Sequence, residues 1–138
     1  MTTFIFSTKR ELIKQARKDE ACGEGLAWAK KMPSLKKILK EIPFEYRLWC
    51  LEQGYMQFKE NCEWEKLEGN DWSFLLSMQP QFLSFFCFPY QEKLDGKHWV
   101  SLLLLQPHFC SFCDWKKFKA NDWAYLLTFK PEFSKFKN

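Results

Sequence analysis

The sequence predicts an all-α fold: a helical N-terminal module, residues 1–57, continuing without a linker into three short stacked helical-hairpin repeats, 58–138, packed as one compact unit. Three observations predict it. Apolar residues recur at helical spacing, with Trp72, Leu75 and Leu76, then Trp99, Leu102 and Leu103, then Trp123, Leu126 and Leu127 at i, i+3 and i+4. The punctuation is that of short helices, with Asn70 and Asn121 as candidate caps, Asp71 and Asp122 in the first turn, and Pro80, Pro107 and Pro131 as stops. The third observation is internal repetition. "NDWSFLLSMQPQF", "KHWVSLLLLQPHF" and "NDWAYLLTFKPEF" share Trp, Leu-Leu, Pro and Phe in one register.

In chain order, "TTFIF" reads as an extended arm, because no second strand pattern exists to pair with it. Thr8 and Glu11 stand in capping-box register and start a helix over "STKRELIKQARK". "GEGLAWAKKM", "SLKKILKEI" and "PFEYRLWCLEQ" follow as three more short helices, broken at Pro33, Pro43 and Gly54. The repeats then span about 58–82, 82–109 and 109–133. Each is a helix stopped by a proline that opens a second short helix, and such units bury their apolar faces by stacking.

Composition bounds the class. A chain of 138 residues with 19% aromatic content, 7 Trp and 15 Phe buries a sizeable core and lies far from disorder. No run approaches the roughly 18 apolar residues of a membrane span, and Met1 to Phe6 lacks the charged start and long apolar region of a signal peptide, so a cytoplasmic protein is expected. The six cysteines are then expected to be reduced thiols that behave as small hydrophobes. Net charge is +5 over 1–49 (11 basic, 6 acidic), −5 over 50–114 (4 basic, 9 acidic) and +4 over 115–138 (6 basic, 2 acidic). That alternation suits a protein surface as well as phosphate.

Catalysis and cofactors are not expected. Cys110 and Cys113 form a C-x-x-C near His98 and His108, but Cys113 occupies the small apolar slot of Cys62 and Cys87, and no second pair completes a tetrahedral site. There is no Gly-rich phosphate loop, H-E-x-x-H or nucleophile–base arrangement.

The middle repeat carries the candidate site. Trp72 to Trp99 is 27 residues and Trp99 to Trp123 is 24, and the extra residues fall in "FLSFFCFPYQ". Phe85, Phe86, Phe88 and Tyr90 stand there against Glu60, Asn61 and Ser111 of the other copies. A projecting loop around Pro89 with at least two exposed rings is expected, its aromatics anchoring a partner. Covering the join between the module and the repeats is the equally weighted alternative. His98, in the slot of Asp71 and Asp122, joins them as a partner contact. Lys36, Lys37 and Lys40, and Lys116, Lys117 and Lys119 beside Trp115, are the candidate contacts to nucleic acid or an acidic partner, weighed against a solvated face with lysine stems lying on apolar neighbours.

The repeats resemble a family of tandem units in bacterial and phage-associated proteins, of the form Cys-Asp-Trp, then Asp-Trp-x-x-Leu-Leu, then Gln-Pro-x-Phe, matched over 58–133. The segment "ACGEGLAWAKKMPSLKKILKEIPFEYRLWCL" resembles a module that precedes such repeats and that also occurs in proteins described as immunity proteins. The resemblance implies a small helical interaction protein without catalytic activity. It extends to an inhibitor of a bacterial defence system, of the anti-CRISPR type. The expected function is thus non-enzymatic binding of a larger bacterial protein or ribonucleoprotein, as inhibitor or adaptor, with direct nucleic-acid binding as runner-up and no membrane or small-molecule substrate.

Overall fold

The computed structural model describes residues 3–86 and 88–137, with the side chain of Phe88 outside the described set. The fold is all-α. The chain divides into two units, Met1–Glu63 and Trp64–Asn138, a little beyond the boundary expected at 57/58. Arg47 supplies the reason: its guanidinium, 4% exposed, donates to the carbonyls of Leu39 at 2.8 Å, Phe58 at 3.2 Å and Glu60 at 2.9 Å, tying the segment after Phe58 to the N-terminal core.

In the N-terminal unit the four expected helices form as α1 (Lys9–Lys18), α2 (Gly23–Lys31), α3 (Leu35–Glu41) and α4 (Phe44–Glu52). Thr8 caps α1, its hydroxyl accepting the Glu11 N–H at 3.1 Å. Ser34 does the same for α3 through Lys37. Gly54 follows α4 at φ 87, a conformation that glycine adopts without steric cost. Its carbonyl accepts the N–H of Phe4, and the Phe4 carbonyl in turn accepts from Met56, so the arm docks by a parallel bridge between Phe4 and Tyr55. The rings of Phe4, Phe6 and Trp49 meet Tyr55 edge-on, and the Tyr55 hydroxyl donates to Asp19 at 2.6 Å.

In the second unit the three repeat helices are α5 (Gly69–Met78), α7 (Gly96–Leu105) and α8 (Ala120–Phe129), with α6 (Phe88–Gln91) between the first two. Helix α5 packs on α7, and α7 on α8. Each is followed by a proline-led 3-10 turn, Pro80–Phe85, Pro107–Ser111 and Pro131–Phe136. Trp72, Leu75, Leu76 and Phe82 are buried in the first repeat, and Trp99, Leu102, Leu103 and Phe109 in the second. In the third, Trp123, Leu126 and Phe133 are buried while Leu127 is half-buried.

The helix starts differ from expectation. The N-cap residues are Glu68, Asp95 and Lys119 rather than Asn70 and Asn121. The physical reason lies three residues on: Asp71, His98 and Asp122 each accept the backbone N–H of the N-cap residue, at 2.9, 2.8 and 2.9 Å, which closes the turn earlier.

Two further slots lock one repeat to the next. Lys93 Nζ donates to the carbonyls of Glu65 and Leu67 at 2.6 and 2.7 Å. Lys117 Nζ repeats this on Glu92 and Leu94, at 2.7 Å each. At the first helical position, Gly69 and Gly96 lie under the following repeat, where a β-carbon would collide with the Lys93 and Lys117 carbonyls respectively. Ala120, in the same slot of the third repeat, is exposed.

Candidate functional site

An amphipathic repeat helix should be polar opposite its buried face, and these helices are not. With Trp72, Leu75 and Leu76 inward, the positions two and six after the tryptophan lie on the far side. They carry Phe74 and Met78 on α5, Ser101 and Leu105 on α7, and Tyr125 and Phe129 on α8. The five large apolar side chains are 53%, 45%, 63%, 56% and 58% exposed, in that order. Tyr125 and Phe129 are in ring contact, with centroids 5.3 Å apart. Single exposed apolar residues are ordinary, but a set repeated in register on neighbouring packed helices is a pattern.

Between α5 and α7 this face is indented by a groove of about 410 Å³, rimmed by Phe74, Met78 and Leu105. Small residues make its floor and let the helices approach. The Ser73 hydroxyl donates to the His98 carbonyl at 3.1 Å, and the Ser77 hydroxyl to the Ser73 carbonyl at 2.6 Å. Gln106 Nε2 donates to the Ser77 carbonyl at 2.9 Å. The floor is thus satisfied internally, and the exposed lining combines Phe74, Met78 and Leu105 with Asn70, Ser101 and Lys97. Such a groove can receive apolar side chains from a partner.

His98 lines the groove as part of its wall. It is 9% exposed, its Nδ1 accepts the Asp95 N–H, and its Nε2 lies 2.7 Å from Asn70 Oδ1. The acceptor role of Nδ1 places the proton on Nε2, which donates to Asn70. Burial holds the ring below its ordinary pKa of 6.5, so it is a neutral structural bridge between two repeats.

The aromatic insertion does not project as expected. Phe86 is 4% exposed, with its ring 5.1 Å from Trp72 and 6.3 Å from Trp99. Tyr90, half-buried, stacks on Trp72 at 5.2 Å. Phe85, also half-buried, stacks on Trp64 at 4.8 Å. The side chain of Phe88 and all of Cys87 lie outside the described residues. The expectation of at least two exposed rings therefore fails for the three described ones: the added residues fold back as α6 and seal Trp72. Phe85 is also not an insertion residue, since Phe112 and Phe136 stand in the same place, thirteen after the tryptophan. Phe136 stacks on Trp115 at 4.6 Å as Phe85 stacks on Trp64. In the middle repeat Gln91 replaces that tryptophan, and Phe112 is left 46% exposed.

The basic candidates separate. Lys36, Lys37, Lys40, Lys116 and Lys119 are exposed, with Lys37 paired to Glu41 at 2.9 Å. Lys117 is committed to the two carbonyls already described. Among the described residues no three His, Cys, Asp or Glu side chains gather as metal ligands. Burial, then the charges of Asp114 and Cys110, pushes the Cys113 thiol up.

Protein-family models, curated proteins and solved structures give no match to this chain. Function is therefore read from the geometry. No helix among the described residues is long and apolar enough to cross a membrane.

The exposed face was legible in principle. Apolar residues at both the tryptophan phase and two and six residues later mark a helix with two apolar sides, and that signal was outweighed by the local density of rings in "FLSFFCFPYQ".

Proposed function

We propose that this protein is a non-enzymatic binding module that docks a larger protein on the outer face of α5, α7 and α8 and acts as its inhibitor or adaptor. One observation carries the reading: Phe74, Met78, Leu105, Tyr125 and Phe129 form an exposed apolar set at equivalent positions of three packed helices. Interface cores have this composition, large apolar and aromatic side chains with cations at the rim, here Lys97. The resemblance of the repeats to those of phage-associated proteins makes blockade of a bacterial protein or ribonucleoprotein, in the manner of an anti-CRISPR inhibitor, the form of this function to test first.

The test is capture of a partner from bacterial lysate by the intact chain and by Leu105→Lys and Phe129→Lys, each with and without nuclease. The expected result is a partner retained after nuclease treatment and at high salt but lost from both variants. Capture that vanishes with nuclease and added salt, and that survives both substitutions, would assign binding to the basic segments and nucleic acid instead.

A further inference from the structure

The N-terminal unit holds a cavity of about 490 Å³, open to solvent on one side and bordered by α1, α2, α3 and α4. Its origin is in the sequence of α2. Gly25 and Ala29 give that helix little bulk where it borders the space, and it packs against α1 while burying none of its own residues. The space that larger side chains would fill stays open, walled by Ile13, Leu26, Ile38 and Ile42. A volume of this size is in the range that small-ligand sites occupy.

The wall has a definite chemistry. Trp28, Tyr46, Trp49 and Phe58 contribute four aromatic rings, Glu20, Glu24 and Glu45 contribute three carboxylates, and no Lys, Arg or His lines the space. All three glutamates are exposed while also lining the cavity, so it carries negative charge on its solvent side. None of the three forms a salt bridge with a cation among the described residues. Burial pushes the Tyr46 phenol up, and after it Cys22, Glu24 and Glu45 act in the same direction, the two carboxylates being those charged at neutral pH.

These features select a ligand class. An anion is repelled by three carboxylates, and a neutral apolar molecule leaves them unused. A bare metal ion lacks a set of gathered ligands among the described residues. An organic ammonium ion satisfies both parts, because aromatic faces and carboxylates each attract its head while an apolar body removes the cavity wall from water. We propose that the N-terminal unit binds an organic ammonium ion with an apolar body, its head beside Glu24, Glu45 and Tyr46 and its body in the cavity. The site is independent of the docking face on the repeats.

The experiment titrates the full chain with benzyltrimethylammonium and with its neutral isostere neopentylbenzene, following the methyl resonances of Ile13 and Ile38 by NMR. Saturable shifts are expected with the cation, at least about tenfold tighter than with the isostere. In Glu24→Gln/Glu45→Gln that preference should fall at least about threefold, the aromatic faces keeping the remainder, with the methyl spectrum of the free protein unchanged because both side chains are exposed. Three results would each overturn the proposal: no saturable shift with the cation, equal affinity for the two probes, or an undiminished preference in the double variant.

Discussion

The ring of His98 lies directly over Gly69: a β-carbon there would stand 2.6 Å from its Cε1 and 2.5 Å from the Lys93 carbonyl. Asp122 and the Lys117 carbonyl stand over Gly96 in the same way. Backbone carbonyls cannot swing aside as a lysine tip can, so Gly69→Ala and Gly96→Ala should each destabilise by about 1 to 3 kcal/mol. Ala120→Gly, at the exposed equivalent, should cost less than about 1 kcal/mol. Urea denaturation of the three variants checks this, and a neutral Gly69→Ala would mean that the repeats do not stack in this register.

Lys93 and Lys117 each give two charged hydrogen bonds to the preceding repeat. Replacing either by Met should cost about 1 to 3 kcal/mol, since two carbonyls lose a donor at once. Lys36→Met, on an exposed position of α3, should stay within about 0.5 kcal/mol. Equal effects at all three sites would remove the clasp from the account of how the repeats hold together.

His98 makes stability depend on pH. Burial disfavours its charged form, and a proton on Nδ1 would face the Asp95 N–H, so the folded pKa lies below the ordinary 6.5. The unfolded chain then binds a proton that the folded chain does not. The contribution is complete above about pH 6.5 and is lost as pH falls below it. His98→Asp restores the acceptor found at Asp71 and Asp122, and its loss of melting temperature between about pH 7.5 and pH 5.5 should be smaller than that of the parent. An identical loss in both proteins would exclude His98 as the source.

Core and face should separate cleanly. Phe86→Ala removes a ring packed between Trp72 and Trp99 and should cost about 3 to 5 kcal/mol, and Leu75→Ala, Leu102→Ala and Leu126→Ala about 2 to 5 kcal/mol each. Leu105→Ala and Phe129→Ala should leave stability within about 0.5 kcal/mol and weaken the captured partner by about 1 to 3 kcal/mol. Thermal melts and titration against that partner measure the two quantities. A large stability loss at Leu105 or Phe129 would place those side chains in the core.

Local signals in the sequence located the four N-terminal helices, the Thr8 cap and the three proline breaks, because capping and proline chemistry act within a few residues. The repeat register gave the buried set Trp72, Leu75, Trp99, Leu102, Trp123 and Leu126 for a similar reason: a helix face is fixed by spacing alone. The same register held two signals of site value. Phe85 aligns with Phe112 and Phe136, which marks it as a regular stacking ring, and Phe74, Tyr125, Met78, Leu105 and Phe129 align as a second apolar side.

The sequence by itself therefore determined the helices, their order and their inward faces. Only the tertiary structure decided which remaining aromatic rings meet water. Phe86 and Tyr90 could project or fold back with the same local sequence, and the choice was made by Trp72, distant along the chain, whose surface they cover. Likewise His98 and Lys117 look like free polar groups until the preceding repeat supplies Asn70 to one and the carbonyls of Glu92 and Leu94 to the other. Spacing fixes direction on a helix, whereas burial depends on what another segment brings to that direction.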